Sequence, residues 1–157
     1  MYRAIRPLLA LGLLTANIAV CSASAATEPD LKGVWRSIDD HTGNPKSIIR
    51  IDKNADGNYS GTVLKVLAEP GAKPEVTCHD CPAPFTGKPI EGMNILWGLK
   101  ADAEDHNLYA GGKVLDPLSG HTYSAKININ PDGKKLTLRG FLGFSLLGRS
   151  QVWYREQ

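Results

Sequence analysis

Residues 108–141 alternate between apolar and polar positions with a period of two, interrupted only at two turns. In residues 121–130, Tyr123, Ala125, Ile127 and Ile129 fall on one face, and Thr122, Ser124, Lys126, Asn128 and Asn130 fall on the other. In residues 108–115, Leu108, Ala110 and Val114 share a parity. Successive side chains of a β-strand point to opposite faces, so this is the pattern of strands buried on one side. Asp116-Pro117 with Gly120, and Asn130-Pro131-Asp132-Gly133, supply the fixed φ of proline and the positive φ that tight turns need. The stretch predicts a β-meander.

The same pattern extends over most of the chain. Strands are predicted over residues 33–38, 47–52, 59–67, 93–100, 108–115, 121–130, 134–141 and 149–156. Ile49 and Ile51 share one face of the second, and Met93, Ile95, Trp97 and Leu99 one face of the fourth. Between the third and fourth, residues 68–92 lose all periodicity and carry Pro70, Pro74, Pro82, Pro84 and Pro89. A loop of that length in a compact domain is either functional or pinned in place. No stretch reads as a long helix. The prediction is an all-β fold, an eight-stranded up-and-down antiparallel barrel. At that strand number a sheet closes on itself, loses its sticky edges and keeps room for side chains or one small ligand. A sandwich would want more long crossovers, and only residues 68–92 could make one.

The start of the chain is of another kind. Arg3 and Arg6 precede an apolar run, residues 8–20, and Ala23-Ser24-Ala25 offers small residues to a signal peptidase. The run is too short to span a bilayer, which takes about 20 residues. Residues 1–25 are therefore expected to be a signal peptide cleaved near Ala25 or Ala26, with residues 27–157 forming a single domain. Cys21 offers a lipoprotein alternative, although Val20 stands where a small residue should precede it. Export also changes the charge balance. The chain has 18 Lys and Arg against 16 Asp and Glu, and losing Arg3 and Arg6 makes the two equal. A balanced domain argues against nucleic-acid binding and against purely electrostatic capture by an anionic membrane. No later segment is long and apolar enough to span a bilayer.

Candidate chemistry is sparse. Cys78-His79-Asp80-Cys81 is most simply a disulfide in an exported protein. A redox pair would want a helix N-terminus to lower a thiol pKa, and a zinc site would want further ligands beyond His79. Residues 52–57 imitate the start of an EF-hand loop, but Val63 occupies the place of the bidentate glutamate and strands flank the motif. His41, His79, His106 and His121 are scattered among loops and a strand start. Ser145 lacks the second glycine of a nucleophile elbow. Asp102, Glu104 and Asp105 read as a solvated loop. No catalytic set, metal site or cofactor is expected, and the chain reads as a non-enzyme.

Two resemblances add to this. Gly33-Val34-Trp35 with Arg155 on the last strand resembles the lipocalin arrangement, in which a basic side chain covers the indole and closes the barrel. More of the chain is similar to the bacterial family called domain of unknown function 2147. The likeness is carried by Gly33-x-Trp35, Gly87-Lys88-Pro89-Ile90, Asp116-Pro117-x-x-Gly120-x-x-Tyr123, Leu138-Arg139-Gly140-Phe141 and Gly148-Arg149-Ser150-x-x-Trp153-x-Arg155. The resemblance implies a lipocalin-like barrel exported by bacteria, periplasmic or secreted. If the apolar parity faces inward, the cavity lining draws on Ile49, Ile51, Val63, Ile95, Trp97, Val114, Tyr123, Ile127, Leu138 and Val152. Arg139 and Gln151 have the polar parity and suit either surface or cavity. The expected function is an exported binding protein holding a hydrophobic or amphipathic small molecule. The alternative is an interaction module, an enzyme inhibitor or envelope component, whose barrel is filled by its own side chains. The sequence does not specify an oligomeric state.

Overall fold

The structure is a computed structural model that describes residues 29–156. Eight strands close into an antiparallel barrel: β1 (Gly33–Ile38), β2 (Pro45–Lys53), β3 (Tyr59–Val66), β6 (Asn94–Ala101), β7 (Leu108–Leu115), β8 (Thr122–Ile129), β9 (Lys135–Phe141) and β10 (Gly148–Arg155). Around the barrel the order is β1-β10-β9-β8-β7-β6-β3-β2. Neighbours in space are neighbours in sequence except where the chain closes and where residues 67–93 bridge β3 to β6. That bridge is not wholly irregular, because β4 (Thr77–Cys78) and β5 (Lys88–Pro89) form a small antiparallel ribbon within it.

The end of the barrel that receives the N-terminal segment is tightly packed. Trp35 is fully buried and its indole N–H donates to the Leu31 carbonyl at 2.9 Å. Arg155 lies over the indole with its guanidinium carbon 4.2 Å from the ring centroid. Its N–H groups donate to the carbonyls of Gly133 (2.6 Å), Lys32 (2.8 Å) and Asp30 (2.6 Å). A Cβ on Gly33 would overlap that guanidinium, which is why glycine opens the motif. Tyr59 and Tyr109 meet edge to face at 5.1 Å, and their hydroxyls donate to Asp30 Oδ1 and the Pro29 carbonyl. Burial, with Asp30 beside it, pushes the Tyr59 phenol well above its ordinary pKa, so it stays a donor. Ile51, Leu96, Leu99, Ile127, Ile129 and Leu136 fill the interior above this base. Gly61 and Gly112 make the space: a Cβ on Gly61 would sit 3.1 Å from Leu96 Cβ, and one on Gly112 would sit 2.6 Å from Leu99 Cγ.

Bulges break the parity expected in two strands. In β7, Tyr109 pairs with Ile127 and Gly112 with Ala125, so Ala110 and Gly111 together oppose Lys126 alone. Gly111 takes a φ of +77° to make this turn-out. Tyr109 is consequently buried on the face shared by Gly112 and Val114, and Leu108 and Ala110 are not on the face of Val114 as their spacing predicted. In β6, Leu99 pairs with Tyr59 and Leu96 with Gly61, so the extra residue lies between them, where Gly98 has a φ of +75°. Leu96 and Leu99 therefore face in and Trp97 faces out, paired with exposed Lys113. The common face predicted for Met93, Ile95, Trp97 and Leu99 is lost for this reason. β10 has no bulge, but its apolar Val152 pairs with Thr137 on the outer wall while Gln151 and Trp153 point inward.

Candidate functional site

The opposite end of the barrel is open. A cavity of about 830 Å³ runs from the mouth into the barrel. Its walls are Ile49, Val63, Ile95, Val114, Tyr123, Leu138 and Trp153, with Gly140 leaving space between Val114 and Tyr123. Each comes from a different strand or from alternate positions of one strand, so the staves converge their inward side chains on a single volume. Six of the ten residues expected to line a cavity do so: Ile49, Val63, Ile95, Val114, Tyr123 and Leu138. Ile51 and Ile127 are buried in the packed half instead. Trp97 is outside, stacked on Phe85 of the long loop at 6.4 Å between centroids, and Val152 is outside for the reason given above.

A few polar groups face this apolar volume. Ser37 and Ser47 share a hydrogen bond of 2.7 Å between their hydroxyls, and Trp153 Nε1 approaches Gln151 Oε1 at 3.5 Å. All four line the cavity: Gln151 takes the cavity side of the two placements its parity allowed, and Ser37, Ser47 and Trp153 add to the expected lining. Around the mouth the lining becomes charged: Asp39, His41, Lys46, Glu69, Lys73, Glu75, Asp116 and Arg149.

The mouth loops are tied to one another. Asp40, in the β1–β2 loop, forms an ion pair with Arg149 at the start of β10. The Arg149 guanidinium holds the Asp40 carboxyl below its ordinary pKa, and backbone N–H donation from Thr42 does the same for Asp39. Thr42 and Asn44 donate to the Glu69 carboxylate, joining that loop to the long bridge. The bridge is pinned in turn by a Cys78–Cys81 disulfide, whose Cys78 Sγ rests 3.3 Å from the Pro117 carbonyl oxygen. Gly120, at a φ of +70°, lets the β7–β8 turn press against the bridge, where a Cβ would overlap the Asp80 carbonyl.

The remaining candidates disperse. Residues 54–58 form the β2–β3 hairpin turn, closed by Asn54 N–H donating to the Asn58 carbonyl at 2.7 Å. His41 lies on the mouth, His79 faces Glu75 at 3.7 Å, and His121 is tilted against Tyr123. His106 sits in the β6–β7 connection. Asp102 accepts the backbone N–H groups of Glu104 and Asp105, which keeps its carboxyl below the usual range. Among the described residues, no group of His, Cys, Asp and Glu is arranged to hold a metal ion, and no helix is long and apolar enough to cross a membrane. The signal-peptide and Cys21 readings lie outside the described residues.

A closed antiparallel barrel of eight staves, packed at one end under an arginine-covered tryptophan and hollow at the other, defines a lipocalin-like protein. A solved structure described as "Protein HP1028 from the human pathogen Helicobacter pylori belongs to the lipocalin family" is similar, with a TM-score of 0.67 at 18% identity over 82% of this chain and 84% of that one. No curated protein matches the chain. The family model described as "Uncharacterized protein conserved in bacteria (DUF2147)" matches residues 33–155, and the chain belongs to that family.

Proposed function

We propose that this is an exported binding protein that holds a hydrophobic or amphipathic small molecule in the open half of its barrel. The observation that carries the reading is the cavity itself: about 830 Å³, walled by aliphatic and aromatic side chains, with charge confined to the mouth. Small-molecule sites typically occupy about 300–1,000 Å³ and combine apolar walls with a few polar groups. An apolar body would lie against Ile49, Val63, Ile95 and Leu138, and a polar end would meet Gln151 or the charged rim. A protein acting only through its loops has no use for an unfilled interior. The disulfide accords with an oxidising compartment such as the periplasm, where the apolar leader would direct the chain. The reading assigns binding and no catalysis.

The test is native mass spectrometry of gently purified protein together with titration of a fluorescent apolar probe. We expect a copurifying small molecule, or saturable probe binding displaced by fatty acids. Neither a bound species nor a response to the probe would overturn the reading.

A further inference from the structure

The hairpin joining β9 to β10 carries the sequence Gly140-Phe141-Leu142-Gly143-Phe144-Ser145-Leu146-Leu147-Gly148, without one charged residue. Leu142 and Leu147 line the mouth of the cavity and are nonetheless 61% and 73% exposed. Beyond them Phe144 and Leu146 are 81% and 89% exposed. Leu118, on the neighbouring β7–β8 turn, adds to the same rim at 52% exposure. Contiguous exposed apolar surface of this kind marks an interaction site in a soluble protein.

We propose that this hairpin is a membrane-contact device, which inserts Phe144, Leu146 and Leu147 into the interfacial layer of a phospholipid surface and sets the cavity mouth against it. Two observations select lipid as the occupant. The first is the treatment of the backbone. Peptide carbonyls entering an apolar phase must be satisfied internally. Here Phe144 O accepts from Leu147 N–H (3.0 Å) and Leu147 O from Leu142 N–H (3.4 Å). Ser145 O accepts from Arg139 Nε (2.6 Å) and Leu146 O from Arg139 Nη2 (3.0 Å). Four consecutive carbonyls at the tip are thus covered from within.

The second is the charge beneath the tip. Arg139 and Lys126 are cross-strand partners on the outer wall of β9 and β8, and neither is in an ion pair among the described residues. The Arg139 guanidinium is spent on the Ser145 and Leu146 carbonyls and the Ser150 hydroxyl, none of which carries a formal charge, so two like charges stand side by side on the sheet without a counter-charge, an unfavourable pairing. With the tip in the interfacial layer, they stand where headgroup phosphates lie. The balanced net charge of the domain hides this local excess. A protruding, uncharged tip with cations at its base suits a fluid surface, which needs no matching pocket. The docking does not depend on what the cavity holds, whereas direct passage of an amphipathic ligand between bilayer and barrel rests on the proposed binding role.

The experiment is co-sedimentation of the purified protein with vesicles of phosphatidylcholine and phosphatidylglycerol in equal parts, and with phosphatidylcholine alone. Wild type is expected to bind the mixed vesicles. The double variant F144D/L146D alters only exposed side chains, so it should melt as wild type does while its vesicle affinity falls at least about tenfold. Lys126→Gln should weaken binding to the mixed vesicles and leave binding to phosphatidylcholine alone unchanged. Val114→Trp, which fills the cavity, should bind vesicles as wild type does, so failure of the ligand reading and failure of this one are distinguishable. Absence of wild-type binding, or undiminished binding by F144D/L146D, would overturn the proposal. So would a tip that mediates only self-association, seen as lipid-free dimers that F144D/L146D abolishes.

Discussion

Arg155 stacks on Trp35 and at the same time spends its N–H groups on three backbone carbonyls, those of Asp30, Lys32 and Gly133. One side chain on the last strand therefore fastens the first strand, the segment preceding it and the β8–β9 turn. Arg155→Ala should lower stability by about 2–4 kcal/mol, from the lost ring contact and the carbonyls left without a donor. Arg155→Lys should recover less than half, because an ammonium cannot fork among three acceptors lying in different directions. Urea unfolding measures both, with the midpoint moving and the slope unchanged.

Gly120 and Gly143 have nearly the same backbone, with φ of +70° and +66°, and different surroundings. A Cβ on Gly120 would overlap the Asp80 carbonyl, whereas one on Gly143 would meet nothing within 4 Å. Gly143→Ala should cost only the left-handed penalty of about 1–2 kcal/mol. Gly120→Ala should cost about 3 kcal/mol or more, since the bridge must also move. The displaced bridge should show as faster proteolysis within residues 68–92 in Gly120→Ala alone.

Val114 and Val152 are both half-buried valines on strands of the barrel wall, the first facing the cavity and the second facing out. Val114→Trp should place an indole in the cavity and weaken an apolar probe by at least about tenfold, the worth of one large side chain's apolar contact. Val152→Trp should leave probe affinity unchanged. Fluorescence titration of the two variants tests the inward assignment directly.

Asp40 has a lowered pKa in the folded protein because Arg149 favours its charged form. Folding therefore gains from this carboxylate above its unfolded pKa of about 4 and loses that gain as pH falls through the lower folded value. Asp40→Asn removes the dependence. Its urea midpoint should fall less steeply than that of wild type on acidification below about pH 4, with the two series furthest apart at neutral pH.

The strands were legible because their edges carry explicit chemistry. The alternation of Tyr123, Ala125, Ile127 and Ile129 against polar neighbours, bounded by Gly120 and Pro131, places β8 within one residue of its observed limits. The other seven barrel strands lie within two residues of expectation. The closure by Trp35 and Arg155 was legible through the resemblance to the lipocalin arrangement, and the ring contact bears it out. What failed was the facing of side chains after a bulge. Gly98 and Gly111 each add a residue to one strand only, and a period-two reading has no means to distinguish a bulge glycine from an ordinary one. Hence Trp97 was assigned to the inside. Val152 failed differently: hydropathy favoured it over Gln151, whereas the register of β10 with β9 turns Gln151 inward, where its amide oxygen accepts from Trp153 Nε1. Residues 142–147 were readable as apolar and Gly-rich, but their exposure depends on the length by which the hairpin overshoots the barrel, which is set by the strand registers on either side.

The glycines at positions 61 and 112 have a consequence of their own. They give way to Leu96 and Leu99, and those two leucines, with Ile51 and Ile127, fill a layer of the barrel that the cavity does not enter. Depth in this vessel is thus decided by which interior layer is given large side chains and which is given none. Shifting that boundary by one layer would lengthen or shorten the longest molecule that fits, without altering a stave, a hinge or the lock beneath.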